Sequence, residues 1–424
     1  MPVTITVLAS LGLIVLISRF HKNLIYAVIP AIFFLALTNG FSFSEIWDIT
    51  WERVSSVNNL FLMLVIVQVI WLSQQMKDTG VMDELVTTMQ KSVSKKASMA
   101  MLPAAIGILP MPGGALFSAP LVDDCDHNKD VDPLLKTRIN YWFRHIWEYW
   151  WPLYPGVILA VALMEVKTWH FIAMMAVMTP VSILAGIFFI LRPIGKIEVQ
   201  EQGGFSWVGL REFIWEMMPI LLVILFIFLL PALLGVLEVL GIRIDVDSGL
   251  SLLPGLAIAI IWVWRVNRVP VKQFLSVIFG KGTWIMVFLI LAVMIFKGMM
   301  EDSKAVMEIR NELMAYHIPV MLIILIMPFL SGLITGIAVG FVGAAFPIII
   351  PMIHSPDLID FLSTAGLAYV FGYMGMILSP VHLCFLVSKD YYKAGFLESY
   401  QYVLKPGLTV IGTAVILFVI QRAL

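Results

Sequence analysis

Charge is what this chain of 424 residues has least of: Asp, Glu, Lys and Arg make up 13% of it, against 60% hydrophobic residues. No soluble globular domain keeps that balance over such a length, and the mean hydropathy of +0.96 calls for a polytopic membrane protein. The 27 basic and 28 acidic residues nearly cancel, so no basic surface invites nucleic acid. Cysteine is rarer still. Cys125 and Cys384 stand alone, which gives no disulfide framework and no expectation of a metal site. Missing too are the phosphate loop GxxxxGK[ST], the zinc-protease HExxH and the nucleophile GxSxG, so the sequence is not expected to be an enzyme and implies no cofactor. No small-residue cleavage site follows the first apolar run, where Arg19, His21 and Lys22 stand instead. That run reads as a retained helix.

What fills the chain is apolar text in runs near the roughly 20 residues that cross a bilayer: Val3–Ile17, Leu24–Leu37, Leu60–Leu72, Phe171–Leu191, Met217–Leu240, Leu250–Trp264, Trp284–Met300, Pro319–Leu330 and Leu408–Ile420. The fold class expected is an all-α multi-pass membrane domain over 1–424, with about ten to eleven spanning helices. Basic residues gather at Arg19/Lys22, Lys77 to Lys96, Arg192/Lys196 and Arg265/Arg268/Lys272. The positive-inside rule puts these four clusters on the cytoplasmic side of the cell membrane. The N-terminus and the segment Glu301–Glu312 then lie outside; Arg422 fits this pattern less well.

One stretch breaks the apolar rule. Leu102–Asp124 reads LPAAIGILPMPGGALFSAPLVDD, interrupted by Pro110, Pro112, Gly113 and Gly114. Backbone of this kind is tolerated at membrane depth only where protein buries it or where it lines a watery cavity. The second half of the chain repeats the punctuation. Met76 falls on Met300, Val81–Met82 on Val306–Met307, Pro103 on Pro328 and Gly107 on Gly332. The offset grows to 227 at Pro120 and Pro347, and to 228 where Tyr141, Phe143 and Pro152 meet Tyr369, Phe371 and Pro380. A slowly growing offset predicts two repeats, over 1–200 (core 58–165) and 205–424 (core 282–390). Each has a spanning helix, an amphipathic segment (Val81–Ser94; Ala305–Tyr316), an interrupted hairpin and a helix broken at Pro152 or Pro380. The amphipathic segments fall on opposite sides, which makes the repeats inverted and marks the interruptions as a midplane binding site.

The chemistry-bearing residues sit in those breaks. In RINYWFRHIWEYWWPLYPG, Arg144 and Glu148 are four apart and His145 and Glu148 three apart, so one helical face can carry all three. A charge near the bilayer centre costs about 2.5–3.5 kcal/mol, so such residues are kept where they are paired or used. An Arg144–Glu148 pair that merely holds the helix is the plain alternative. The trio aligns with Gly372, Tyr373 and Met376, and this asymmetry favours function. Arg144 offers a fork of donors to an anion; His145 and Glu148 can exchange protons. Asp123 is a further proton or cation candidate, though an ordinary loop carboxylate is the simpler account. Most of Trp142, Trp147, Tyr149, Trp150, Trp151 and Tyr154 are expected in an interfacial belt. Gly113, Gly114 and Ser118 in the first hairpin are taken as substrate-binding, with Thr335 and Gly336 in SGLITGIAVGFVGAAFPIIIP and Ser379 and His382 in LSPVHLC. A glycine packing face and a hydrogen-bonded core histidine are the alternatives there.

The runs PMPGGALFSAPLVD, RHIWEYWWPLYPG and LSPVHLC together resemble those of a prokaryotic integral membrane family, domain-of-unknown-function family 401, grouped with the ion-transporter superfamily. The resemblance covers nearly the whole chain. It implies two inverted repeats with re-entrant hairpins and discontinuous helices, often assembled as a homodimer. Better-known members of that superfamily carry dicarboxylates, citrate or gluconate with Na⁺ or H⁺. The Ser-Asn-Thr signature of its divalent-anion branch is missing from both interrupted segments, so neither dicarboxylate nor Na⁺ follows. The expected function is secondary transport of a small organic, carboxylate-like anion coupled to H⁺ or Na⁺. The alternatives are an intramembrane enzyme using Ser379/His382 or Glu148/His145, and a channel or membrane subunit of a larger complex.

Overall fold

The computed structural model describes residues 3–20, 24–92, 95–111, 114–126, 131–192, 207–240, 251–303, 305–353 and 355–423. Regular structure among the described residues is entirely helical. Six helical stretches are long and apolar enough to cross a membrane: Val57–Asp78, Thr168–Leu191, Met218–Val236, Val271–Asp302, Leu358–Ile377 and Phe396–Arg422. The protein is therefore a multi-pass membrane protein. Fewer stretches qualify than the ten to eleven expected, because the remaining apolar helices run only 10–17 residues, short of a full crossing at 1.5 Å per residue.

The short helices form two hairpins. Lys95–Ile106 and Ala115–Asp124 make the first; Val320–Thr335 and Ala338–Ile349 make the second. Behind each lies a broken helix. Pro133–Arg144 stops and resumes as Pro155–Met164, while Leu358–Ile377 resumes as Leu383–Tyr392. Proline explains the second stop, where Ser379-Pro380 follows Ile377, since it lacks the N–H that continues a helix and holds the preceding residue extended. The first helix ends at Arg144, ahead of Pro152 and Pro155, which lie toward the far end of its break. Pro155 then suits the first position of the resumed helix.

Glycines set how closely hairpin and broken helix approach. A Cβ on Gly107 would lie 2.0 Å from the Arg144 carbonyl oxygen, and one on Gly332 would lie 2.1 Å from that of Gly372. Neither position accepts a side chain without moving backbone. The contact is the same in both halves: Gly107 matches Gly332 and Arg144 matches Gly372 in the sequence alignment.

Both expected amphipathic segments are helices, Val81–Ser92 and Ala305–Ala315. The Val3 amide donates to Glu312 Oε1 at 2.8 Å and Arg53 pairs with Glu301 at 3.1 Å. The start of the chain and the segment after Lys281–Asp302 thus share one face. On the other, Trp71 Nε1 donates to the Phe274 carbonyl.

Candidate functional site

The two breaks converge on one cavity of about 660 Å³. The breaks give its wall six polar side chains, Arg144, His145, Glu148 and Tyr154 from the first and His382 and Cys384 from the second; Gly336 and Ala338 of the second hairpin lie beside them, and Lys77, Asp78 and Thr283 line it from two long helices. All six polar side chains are buried in protein.

Asp132 caps the first broken helix through the Leu134 amide, and the helix ends on Arg144. Its guanidinium lies across Gly114, where a Cβ would sit 2.3 Å from Nη2. Nη2 donates to the Met111 carbonyl at 2.9 Å, and Nη1 reaches Cys384 Sγ at 3.6 Å. Glu148 Oε1 is 3.9 Å from Arg144 Nη1 and 3.8 Å from His145 Nε2. The Arg144–Glu148 pair is thus loose, and most of the binding of Arg144 lies elsewhere. His145 holds the Tyr141 carbonyl through Nδ1 at 2.6 Å and directs Nε2 at His382 Nε2, 3.1 Å away.

Three half-helices begin at the cavity wall: Pro155–Met164, Ala338–Ile349 and Leu383–Tyr392. None of the three has a side chain capping its first turn. Side-chain caps are few elsewhere too: Ser42, Asp132 and Asp357 supply them, while Val57–Asp78, Lys281–Asp302 and Val320–Thr335 also start without one. Uncapped first-turn amides and the positive end of the helix dipole form an anion-binding arrangement, and Arg144 adds a full positive charge beside it.

Arg144, His145, Glu148, Gly336 and His382 are thus brought together at the cavity. Gly336 is needed as glycine because it ends its helix at φ +65°. Gly113 lies outside the described residues. Gly114 supports Arg144 from behind. Three residues do not join the cavity wall. Ser118 bonds weakly to carbonyls of its own helix, 3.4 Å away. Thr335 donates to the Ser331 carbonyl at 2.7 Å, and Ser379 Oγ accepts from the Val381 amide within its own turn. Asp123 is not at the cavity either: it pairs with Lys136 at 2.6 Å, which also holds Asp126 at 2.7 Å. A local cation thirteen residues on answers for that carboxylate.

The aromatic cluster departs furthest from expectation. Trp142, Tyr149, Trp151 and Tyr154 are buried inside the protein, not spread along an interface. Three of the cluster's indoles are used internally: Trp142 Nε1 donates to the Ser182 carbonyl, Trp147 Nε1 to that of Ala104 and Trp150 Nε1 to Thr179 Oγ1, while Trp151 Nε1 is buried without a partner. Sequence reasoning missed Cys384, although the spacing His382-x-Cys384 places both in one first turn. A second cavity was missed as well. It measures about 380 Å³ and is lined by Arg53, Asn58, Asn59, Glu165 and Lys297 together with Pro152, Val157 and Ile158.

Two hairpins and two broken helices folded around a buried polar centre define a multi-pass membrane protein with an internal cavity. The chain belongs to the family described as protein of unknown function (DUF401), whose pattern matches residues 4–420. No curated protein matches it.

Proposed function

We propose that the protein is a secondary active transporter of a small organic anion, of the ion-transporter superfamily, working in the cytoplasmic membrane by alternating access with H⁺ or Na⁺ as coupling ion. The observation that carries this reading is the 660 Å³ cavity at which three uncapped half-helices begin beside Arg144. The arrangement suits a carboxylate, with the Arg144 fork for its oxygens and first-turn amides for the remaining charge.

Alternating access needs a site flanked by two entries. Val57–Asp78 contributes Asn58 and Asn59 to the smaller cavity and Lys77 and Asp78 to the larger, while Lys281–Asp302 contributes Lys297 and Thr283 to the same two in the reverse order. Those helices occupy equivalent places in the sequence repeat and run in opposite directions, which supports inverted repeats. The matched Gly107–Arg144 and Gly332–Gly372 contacts support them too.

The test is uptake into proteoliposomes across a panel of carboxylates, phosphates and sulfonates under imposed proton and sodium gradients. Accumulation of a carboxylate is expected, and Arg144→Lys, which loses the planar fork, is expected to weaken its binding by roughly tenfold or more. Absence of uptake throughout the panel, or unchanged affinity in Arg144→Lys, overturns the reading.

A further inference from the structure

We infer that His145, His382 and Cys384 form a binding site for a borderline-soft divalent cation such as Zn²⁺, with Glu148 as the adjoining carboxylate. One ring nitrogen of each histidine and the Cys384 Sγ all lie within 4.8 Å of one another, and all three residues are buried. They come from two helices 237 positions apart in sequence, joined only by the fold.

The pairing of the rings suits a positive charge between them. Nδ1 of His145 faces the Tyr141 carbonyl at 2.6 Å, so that nitrogen carries the proton and the lone pair is on Nε2. Nδ1 of His382 makes no hydrogen bond of good geometry, and the backbone of Met376 and Gly336 offers its ring loose hydrogen-bond acceptors. With a proton on Nδ1 of each ring, two lone pairs oppose each other across 3.1 Å. Moving one proton to Nε2 of His382 relieves that opposition but strands a bare lone pair on its buried Nδ1. A cation between the rings satisfies both, and a backbone carbonyl on the far nitrogen is the usual support of a metal-bound imidazole.

Distances and charge favour a metal. A tetrahedral Zn²⁺ with bonds of 2.0–2.1 Å to nitrogen sets its nitrogen ligands roughly 3.3 Å apart, and its sulfur ligand roughly 3.6 Å from each. The histidine pair is already at that spacing, and Cys384 needs to close by about 1 Å. The thiolate charge would be met by Arg144 Nη1 at 3.6 Å and by the start of the helix Leu383–Tyr392, whose first turn holds Cys384. Zn²⁺ and Arg144 against the Cys384 thiolate and Glu148 carboxylate leave one net positive charge. An anion from the cavity can answer it. The inference does not depend on transport.

The experiment is Co²⁺ titration of purified protein followed by absorbance, with Zn²⁺ as competitor. One Co²⁺ per chain is expected, with a thiolate-to-cobalt charge-transfer band that Zn²⁺ abolishes. Cys384→Ser should lose the band, Cys125→Ser should keep it, and His382→Gln should lower Zn²⁺ affinity by at least about tenfold. Should Cys384→Ser fail to fold, the wild-type chain provides the check: Zn²⁺ should protect Cys384 from methanethiosulfonate, and His145→Gln should abolish that protection. A wild-type chain without the band holds only a shared proton between its histidines, which overturns the inference. So does a band that survives in folded Cys384→Ser.

Discussion

The hydroxyl of Tyr369 donates to the carbonyl of Glu148 at 2.9 Å. Its counterpart in the other half, Tyr141, donates to the carbonyl of Ile377 at 2.7 Å. Each tyrosine stands in one broken helix and closes the loose end of the other, so each break is finished by the opposite half of the chain. Tyr369→Phe and Tyr141→Phe each leave a buried carbonyl short of its donor, at a cost of about 1–3 kcal/mol. Both should lower the thermal midpoint of purified protein, whereas Tyr316→Phe, at an exposed position, should not. Equal midpoints in all three would refute the mutual closure.

Gly107→Ala and Gly332→Ala each drive a methyl group into backbone carbonyl. Each should destabilise by about 1–3 kcal/mol through overpacking. Gly12→Ala and Gly412→Ala, where nothing lies within 4 Å of an added Cβ, should match the wild-type protein in a thermal-shift measurement.

Lys297 links Glu165 at 2.5 Å and Glu301 at 3.6 Å, and Glu301 pairs in turn with Arg53. This chain of charges fastens elements around the smaller cavity. On the proposed alternating access, removing it in Lys297→Met should favour the state open on that side. An Ala162→Cys reporter in the cavity wall should then react roughly two- to fivefold faster with an impermeant thiol reagent, the equivalent of a partly exposed ion pair of about 0.4–1 kcal/mol. An unchanged rate would mean the charges do not fasten the cavity.

At the membrane margin Glu216 is pushed up to about 7, first by burial and then by the charge of Glu84 and a hydrogen bond with it, Glu212 adding a smaller push. The folded state therefore holds this proton more tightly than the unfolded chain does. The stabilisation is complete below the ordinary carboxylate range and is lost as pH rises through about 7. Amide exchange in Val81–Ser92 and Trp207–Glu216, corrected for intrinsic rate, should quicken between pH 6 and pH 8. Glu216→Gln should remove that dependence; its persistence would assign it elsewhere.

Backbone interruptions were legible in the sequence because proline and glycine act locally: the second broken helix and the second hairpin turn fall where their prolines and glycines stand, while the first helix stops at Arg144, eight residues before the expected Pro152. Arg144, His145 and Glu148 were legible because a charge in apolar text is costly wherever the helix packs. His382 was named, but its pairing with His145 depends on tertiary contact across 237 residues, which no local pattern encodes. The tryptophans misled because an indole suits a membrane interface and a hydrogen-bonded interior equally well. For Asp123 the ordinary loop carboxylate was the simpler account from the start, and its ion pair with Lys136 agrees with that account.

One stretch of chain lines both cavities, with Tyr154, Pro155 and Gly156 on the larger and Pro152, Val157 and Ile158 on the smaller. In the proposed transporter the two cavities open to opposite sides, and where water fills both, the membrane voltage falls mainly across the protein between them. A charge carried past Pro155 would then feel nearly the whole potential, about 2.3 kcal/mol per elementary charge at 100 mV, over a movement far shorter than the bilayer is thick.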